Sequence, residues 1–372
     1  MTRVVIIVGE ASGDLLASGL IKSLKNQNPE IQIEGITGPR MRDAGCSSWG
    51  DYQQLAVMGI VEVFWHLPRL WALMKHLISR LEENPPDLLI GVDAPDFNLR
   101  LLKRARSSGI KTLQYVCPSV WAWRQNRIKT IAKACDHVLC LLPFELDLLR
   151  KSNISSDFVG HPLADEIATK ENFIPVKSNP VIAVLPGSRL SEINHLGPVF
   201  ADAINWLKER RPDLCFVTGA ANQQTEMAFN KQCKLKGISE EIFIKNSNAR
   251  LAIEKSDVVL AASGTVTLEA MLIGRPMVVA YKVSFITSCI IRLLGGLKVK
   301  YCSLPNLLAG RNLVPEFIQD RAVGSKLGTA ILSQLDSPEY QIKLKSEFKT
   351  LSKQLRQSAN ESAARVIHSI LI

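Results

Sequence analysis

The stretch Val4-Val-Ile-Ile-Val-Gly-Glu-Ala-Ser-Gly-Asp14, continuing into Leu15-Leu-Ala-Ser-Gly-Leu-Ile-Lys-Ser-Leu24, decides how the chain is read. Five successive β-branched residues predict a strand buried on both faces. Gly9, Ser12 and Gly13 break the run, and Leu16, Leu20, Ile21 and Leu24 then recur at helical spacing. Strand, tight loop and helix in that order open a parallel α/β domain. The helix N-terminus collects N–H groups without an intrahelical acceptor and can receive an anion or a polar ligand. Gly9, Gly13 and Gly19 do not fit G-x-G-x-x-G, and no Gly-Lys-Ser/Thr follows. Glu10 sits where a phosphate cradle presents only N–H groups. The loop therefore reads as a ligand site whose cargo is not obviously a nucleotide.

Working outward, the same alternation repeats. Ile31–Ile36, Asp87–Asp93, Thr112–Val116 and His137–Leu142 are short apolar runs ending in turn residues, each followed by a helical pattern. A polar, helix-poor stretch from Gly160-His-Pro162 to Pro180 reads as a linker. A second series follows: Val181–Leu185, Leu214–Thr218, Ile242–Ile244, Val258–Ala261 and Met277–Ala280. The expected fold class is α/β, two Rossmann-like parallel-sheet domains facing a central cleft. The expected boundaries are 1–166 for the first domain and 167–338 for the second. The charged, helical tail, 339–372, is expected to pack back on the first. Ligands in open parallel sheets bind at the carboxyl ends of the strands, and every motif below follows a strand.

With 372 residues, 47% of them hydrophobic and 22% charged, the chain is globular rather than disordered. The net charge of +10 fits an anionic partner such as nucleic acid, anionic lipid or a phosphorylated substrate, and equally a merely basic enzyme. Eight cysteines form no C-x-x-C pair and no zinc-spaced cluster with histidine, so free buried thiols in a reducing cytosol are expected. The chain enters a strand directly, which predicts no signal peptide. Met277–Gly296 is apolar but broken by Lys282 and Arg292, and is not read as a membrane span.

Three strand ends carry the chemistry. In Leu185-Pro-Gly-Ser-Arg189, Gly187 lets the backbone approach a ligand, Ser188 can donate, and Arg189 can fork onto phosphate oxygens. In Ala262-Ser-Gly-Thr-Val-Thr-Leu-Glu-Ala270, Ser263, Gly264 and Thr265 make a second anion-ready turn, and Glu269 can accept from a ribose diol. Capping and a solvated helix charge are the plainer alternatives. Two such turns in one domain favour a nucleotide-sugar diphosphate. In Gly91-Val-Asp-Ala-Pro-Asp-Phe-Asn98, Asp93 at a buried strand end is a general-base candidate, while Asp96 suits a helix cap. No Asp-x-Asp occurs, so no carboxylate pair of that type is there for Mg²⁺. Leaving-group charge then falls to Arg189 and the helix N-termini, and neither metal nor cofactor is expected.

Val57–Ile78 is unusually apolar, with Val61, Val63, Phe64, Trp65, Leu67, Leu70 and Trp71 beside His66, Arg69, Lys75 and His76. That is an interfacial composition, although periodicity alone also allows a buried helix.

Taken together, these motifs resemble the lipid-A-disaccharide synthases, a family of GT-B-type inverting glycosyltransferases. The resemblance covers essentially the whole chain. It is carried by Gly9–Asp14, Gly91–Asn98, Pro118-Ser-Val-Trp-Ala-Trp123, Val159-Gly-His-Pro162, Leu185–Arg189, Ser263–Glu269 and Leu304-Pro-Asn-Leu-Leu308. Val266 replaces the family's usual small residue in its turn. The resemblance implies transfer of 2,3-diacylglucosamine from UDP-2,3-diacylglucosamine to 2,3-diacylglucosamine 1-phosphate (lipid X), giving a β-1,6 disaccharide 1-phosphate and UDP. It implies Asp93 as base, with Glu10 orienting the acceptor or sharing that role. Arg189, Ser188 and the Ser263 turn would hold the diphosphate and Glu269 the ribose, with Asn306 a cleft residue. It also implies a peripheral place on the cytoplasmic membrane surface, the inner face of the inner membrane, and leaves a homodimer open. Two other readings remain: a UDP-GlcNAc-using transferase or epimerase of the same fold, and a nucleic-acid binder. The second is disfavoured because Lys and Arg are spread over many helices rather than in one stripe.

Overall fold

The computed structural model describes residues 1–55, 60–121, 127–167, 179–239, 243–246, 248–284 and 300–372, with backbone alone for 60–67 and 243–246. The chain divides into two units, Met1–Asp165 with Leu355–Ile372, and Glu166–Gln354.

The first unit holds strands β1 (Arg3–Val8), β2 (Gln32–Thr37), β3 (Ser47–Asp51), β4 (Leu88–Val92), β5 (Thr112–Tyr115), β6 (His137–Cys140) and β7 (Ser156–Phe158). They form one parallel sheet in the order β3-β2-β1-β4-β5-β6-β7. The opening run behaves as its composition demands. Val4, Ile6 and Val8 pack on one face with Leu20, Ile21 and Leu24 of helix Ala11–Gln27 and with Ala363, Ala364 and Ile367 of helix Ala359–Leu371. Val5 and Ile7 face the other way, against Leu77, Leu81, Leu99 and Leu102. Each fully buried side chain of this size contributes about 1.5–3 kcal/mol, so β1 is the strand on which both layers close.

The second unit holds β8 (Val181–Leu185), β9 (Cys215–Gly219), β10 (Phe243–Asn246), β11 (Val258–Ala262), β12 (Met277–Tyr281) and β13 (Glu316–Ile318). These are also all parallel, in the order β10-β9-β8-β11-β12-β13. In each sheet the strand order reverses at one pair, β1/β4 in the first and β8/β11 in the second. Crossovers leave such a pair to opposite sides of the sheet and open a crevice at its carboxyl end, where doubly wound folds take their ligands.

The tail requires a correction to the boundary read at 338. Helix Pro338–Leu355 belongs almost entirely to the second unit, where the Tyr340 hydroxyl donates to the Leu313 carbonyl at 3.0 Å and Arg311 pairs with Glu347 at 2.6 Å. Helix Ala359–Leu371 belongs to the first. Both have charged outer faces and an apolar stripe, so pattern alone does not divide them.

Candidate functional site

In the first unit, Val8 is in register with Val92, so the loops carrying Glu10 and Asp93 leave the sheet side by side. They nearly touch: a Cβ on Gly9 would lie 2.5 Å from that of Ala94. Glu10 is exposed at the start of helix Ala11–Gln27, in extended backbone, and its carboxylate does not cap that helix. Asp93 is half-buried with φ 51°, and Ala94 follows with φ 42°. Two consecutive non-glycine residues in the left-handed region cost roughly 1–2 kcal/mol each. Backbone strain of this kind concentrates at functional sites.

Other members of these motifs do structural work. Asp14 is buried and accepts from the backbone N–H groups of Gly38 (3.0 Å), Arg40 (3.1 Å) and Met41 (3.0 Å), capping the next helix. Asp96 is exposed and pairs with Arg127. The Trp121 indole donates to Glu145 at 3.3 Å and meets Phe144 edge-on at 5.3 Å. Glu145 is buried, also accepts from Leu142 N–H at 3.1 Å, and burial pushes its carboxyl up to about 8. One of its carboxylate oxygens and the thiols of Cys117 and Cys140 lie within 4.8 Å of one another. Both carboxyl oxygens already accept protein hydrogen bonds, and the described residues add no fourth donor of the kind a closed zinc site needs. His161 is buried, its Nδ1 accepts from Leu163 N–H at 3.2 Å, and burial lowers its pKa to about 4, so it is neutral. Trp123 lies outside the described residues.

In the second unit, Leu185 is in register with Ala261, which sets the two phosphate-ready turns side by side. Their states differ. Glu192 accepts from the backbone N–H groups of Ser188 (3.0 Å) and Arg189 (3.3 Å), tying the turn to the first turn of the helix that follows. Gly187 has φ 130°, and a Cβ there would lie 2.5 Å from that carboxylate. The first turn therefore already holds an anion of its own. The Arg189 side chain is 73% exposed, with its Nη1 4.0 Å from Glu192. It reaches outward with little to hold it. The second turn is open. Thr265 and Val266 begin helix Thr265–Ile273, and their N–H groups have no acceptor within it. Ser263 donates its hydroxyl to the Cys302 carbonyl at 2.6 Å, so toward a ligand it can accept but not donate. Glu269 is half-buried and accepts no hydrogen bond among the described residues. Desolvation raises its pKa, Arg250 lowers it, and Glu166 raises it.

Asn306 departs from expectation. It is fully buried, and its amide is satisfied inside the chain. Its Nδ2 donates to Glu316 (2.7 Å) and the Val314 carbonyl (2.9 Å), and its Oδ1 accepts from Leu313 (2.7 Å) and Val314 (2.8 Å). Glu316 also accepts from the N–H groups of Cys302 and Ser303, both at 2.9 Å. Asn306 thus braces the segment that receives the Ser263 hydroxyl and presents no atom of its own to a nucleotide. Sequence reading missed Glu316, whose role is visible only once β13 lies beside β12.

Helix Ile60–Glu83 lays Leu77 and Leu81 into the core, with Leu73, Met74 and Ile78 packed against it. Its opposite side is wet: Trp71 is 77% exposed, and Arg69, Lys75 and His76 are exposed around it. Leu70 is half-buried, and the side chains of Val61, Val63, Phe64 and Leu67 lie outside the described residues. No helix among the described residues is long and apolar enough to cross a membrane.

Two parallel sheets, each with its polar turns at the strand-order reversal, define the GT-B class. Solved structures share this fold at low identity. The glycotransferase of kitacinnamycin matches with a TM-score of 0.66 at 17% identity, covering 100% of this chain and 99% of that one. The UDP-GlcNAc 2-epimerase from Neisseria meningitidis, bound to UDP-GlcNAc, matches at 0.65 and 14%, with the same coverage. Sequence narrows the class. The lipid-A-disaccharide synthetase family model matches residues 4–370. A lipid-A-disaccharide synthase from Hahella chejuensis is 45% identical over 99% of this chain and 94% of its own length. One from Xanthomonas campestris pv. campestris is 42% identical over 99% and 86%. The chain belongs to the lipid-A-disaccharide synthase family, and is a glycosyltransferase of lipid A biosynthesis.

Proposed function

We propose that Asp93 is the general base and that the Thr265 helix N-terminus and Arg189 receive the departing diphosphate. The reaction is transfer of 2,3-diacylglucosamine from UDP-2,3-diacylglucosamine to O6 of 2,3-diacylglucosamine 1-phosphate. The observation that carries this reading is placement: Glu10 and Asp93 flank the β1/β4 reversal, and the two anion-ready turns flank the β8/β11 reversal.

Asp93 takes the O6 proton as O6 bonds to the anomeric carbon from the side opposite UDP. The bond from that carbon to the β-phosphate oxygen breaks, and its electron pair leaves with UDP, which inverts the centre. Glu10, exposed beside Asp93, orients acceptor hydroxyls. Charge developing on the diphosphate is met by the free N–H groups of Thr265 and Val266 and by the guanidinium of Arg189. Glu269 is free to accept from the ribose hydroxyls. The exposed Trp71 among Arg69, Lys75 and His76 supports attachment to an anionic membrane surface, where both acylated substrates reside. On this reading the enzyme works as a peripheral protein on the cytoplasmic face of the inner membrane, with a homodimer compatible.

The deciding experiment supplies UDP-diacylglucosamine and diacylglucosamine 1-phosphate, beside a parallel reaction with UDP-GlcNAc. Disaccharide 1-phosphate from the acylated pair alone is expected; equal use of UDP-GlcNAc favours a transferase or epimerase for unacylated sugars. Asp93→Asn should lower turnover by about 10²- to 10⁴-fold, to a residual but measurable rate, while UDP binding survives, and a near-normal rate would move the base to Glu10.

A further inference from the structure

Two buried amides converge on the carbonyl of Asp93, and each is left with an unpartnered oxygen. Asn98 is 1% exposed, and its Nδ2 donates to the carbonyls of Asp93 (2.9 Å), Val92 (3.2 Å) and Ile7 (3.3 Å). Gln114 is fully buried, and its Nε2 donates to the carbonyls of Asp93 (3.1 Å), Val116 (3.3 Å) and Tyr115 (3.4 Å). Asn98 Oδ1 and Gln114 Oε1 are both buried without a hydrogen-bond partner. Turning either amide over would aim its oxygen at this set of carbonyls, so the orientation is fixed by what surrounds it.

Leaving a buried amide oxygen unsatisfied is unfavourable, and two neighbouring amides do so around one carbonyl. That carbonyl belongs to the residue at φ 51°, followed by Ala94 at φ 42°. Gln114 also reaches Val116, a β-branched residue at φ 77°, where such a conformation is a true outlier. Room for both amides comes from Gly91, where a Cβ would lie 2.9 Å from Asn98 Cβ and 3.0 Å from Gln114 Oε1. The strained turn is thus pinned from two elements, helix Pro95–Ser107 and strand β5.

We propose that Asn98 and Gln114 are positioning residues for Asp93: they hold its backbone in the left-handed region and so fix where its carboxylate points. This rests on Asp93 as the base. Strain that serves the reaction rather than the fold makes a distinctive pattern in variants. Replacing either amide by an apolar residue deletes an unpartnered oxygen together with the donors, so stability changes little, while the carboxylate loses its fixed aim.

Asn98→Leu and Gln114→Met are the test, each measured for Tm, kcat and KM, alone and combined with Asp93→Asn. Expected are Tm values within a few degrees of the parent, kcat lower by roughly 10- to 100-fold, KM for the donor unchanged, and no further loss when either is added to Asp93→Asn. Unchanged kcat, a further loss on the Asp93→Asn background, or loss of folding in both variants would overturn the proposal. A near-normal rate in Asp93→Asn alone would instead remove the base assignment beneath it.

Discussion

Gly9 stands so close to Ala94 that a methyl group on the one would overlap the side chain of the other, at 2.5 Å. This contact sets the spacing of the loops that carry Glu10 and Asp93. Gly9→Ala is expected to push them apart, lowering kcat by about 10-fold or more while costing about 1–3 kcal/mol of stability. Paired kinetics and urea denaturation check this. Unaltered kcat would mean that the spacing is irrelevant to the reaction.

Glu192 occupies the N–H groups of Ser188 and Arg189. Glu192→Ala should destabilise the protein by about 1 kcal/mol through loss of the cap. It should also tighten UDP binding by roughly 5-fold, because a negative charge leaves a site meant for another. Calorimetric titration with UDP reads the second effect. Unchanged binding would show that the diphosphate rests on the Thr265 turn alone, and weaker binding that Glu192 serves to order the loop rather than to occupy its N–H groups.

Stability should depend on pH through two buried groups with opposite signs. The unfolded chain protonates His161 below its ordinary value of 6.5, whereas the folded chain resists until about 4. Stability therefore falls as pH drops across that window, by on the order of 3 kcal/mol. Glu145 keeps its proton in the folded chain to about 8, against 4.5 unfolded. Its contribution is lost as pH rises between those values. Urea midpoints from pH 4 to 8.5 should show both limbs, and Glu145→Gln should flatten the alkaline one. An unchanged alkaline slope in that variant would refute the assignment.

Trp71→Glu should sharply weaken association with vesicles containing anionic lipid and leave stability within about 0.5 kcal/mol of the parent, as for other exposed positions. Equal co-sedimentation of the two proteins would dissociate helix Ile60–Glu83 from membrane attachment.

The central strands were legible because they are buried on both faces and so are nearly continuous apolar runs; β1 and β11 are examples. The strands missed, β3 (Ser-Ser-Trp-Gly-Asp), β7 (Ser-Asp-Phe) and β13 (Glu-Phe-Ile), carry no apolar run longer than two residues, and each lies at a sheet edge where one neighbour is absent. Which loops stand at the strand-order reversals could also be read, since polar residues after apolar strands mark them. Which atoms remain available within those loops could not. Whether Ser263, Asn306 or the Ser188 N–H groups meet a ligand depends on Cys302, Glu316 and Glu192, and for the first two those partners are brought near only by the fold. Gln114 was invisible for the same reason: a polar residue within a strand has no local signature as a support for another strand's end.

Helix Ala359–Leu371 completes the first unit, packing Ala363, Ala364 and Ile367 beside Leu20 and Ile21. The first unit is therefore discontinuous along the chain, whereas the second is one unbroken segment. The second can close by itself, while one face of β1 and its helix stay uncovered until residues from beyond the second unit return to them. A chain cut short before Leu355 should thus fold its second unit and leave the first with bare apolar surface, the half most in need of a chaperone.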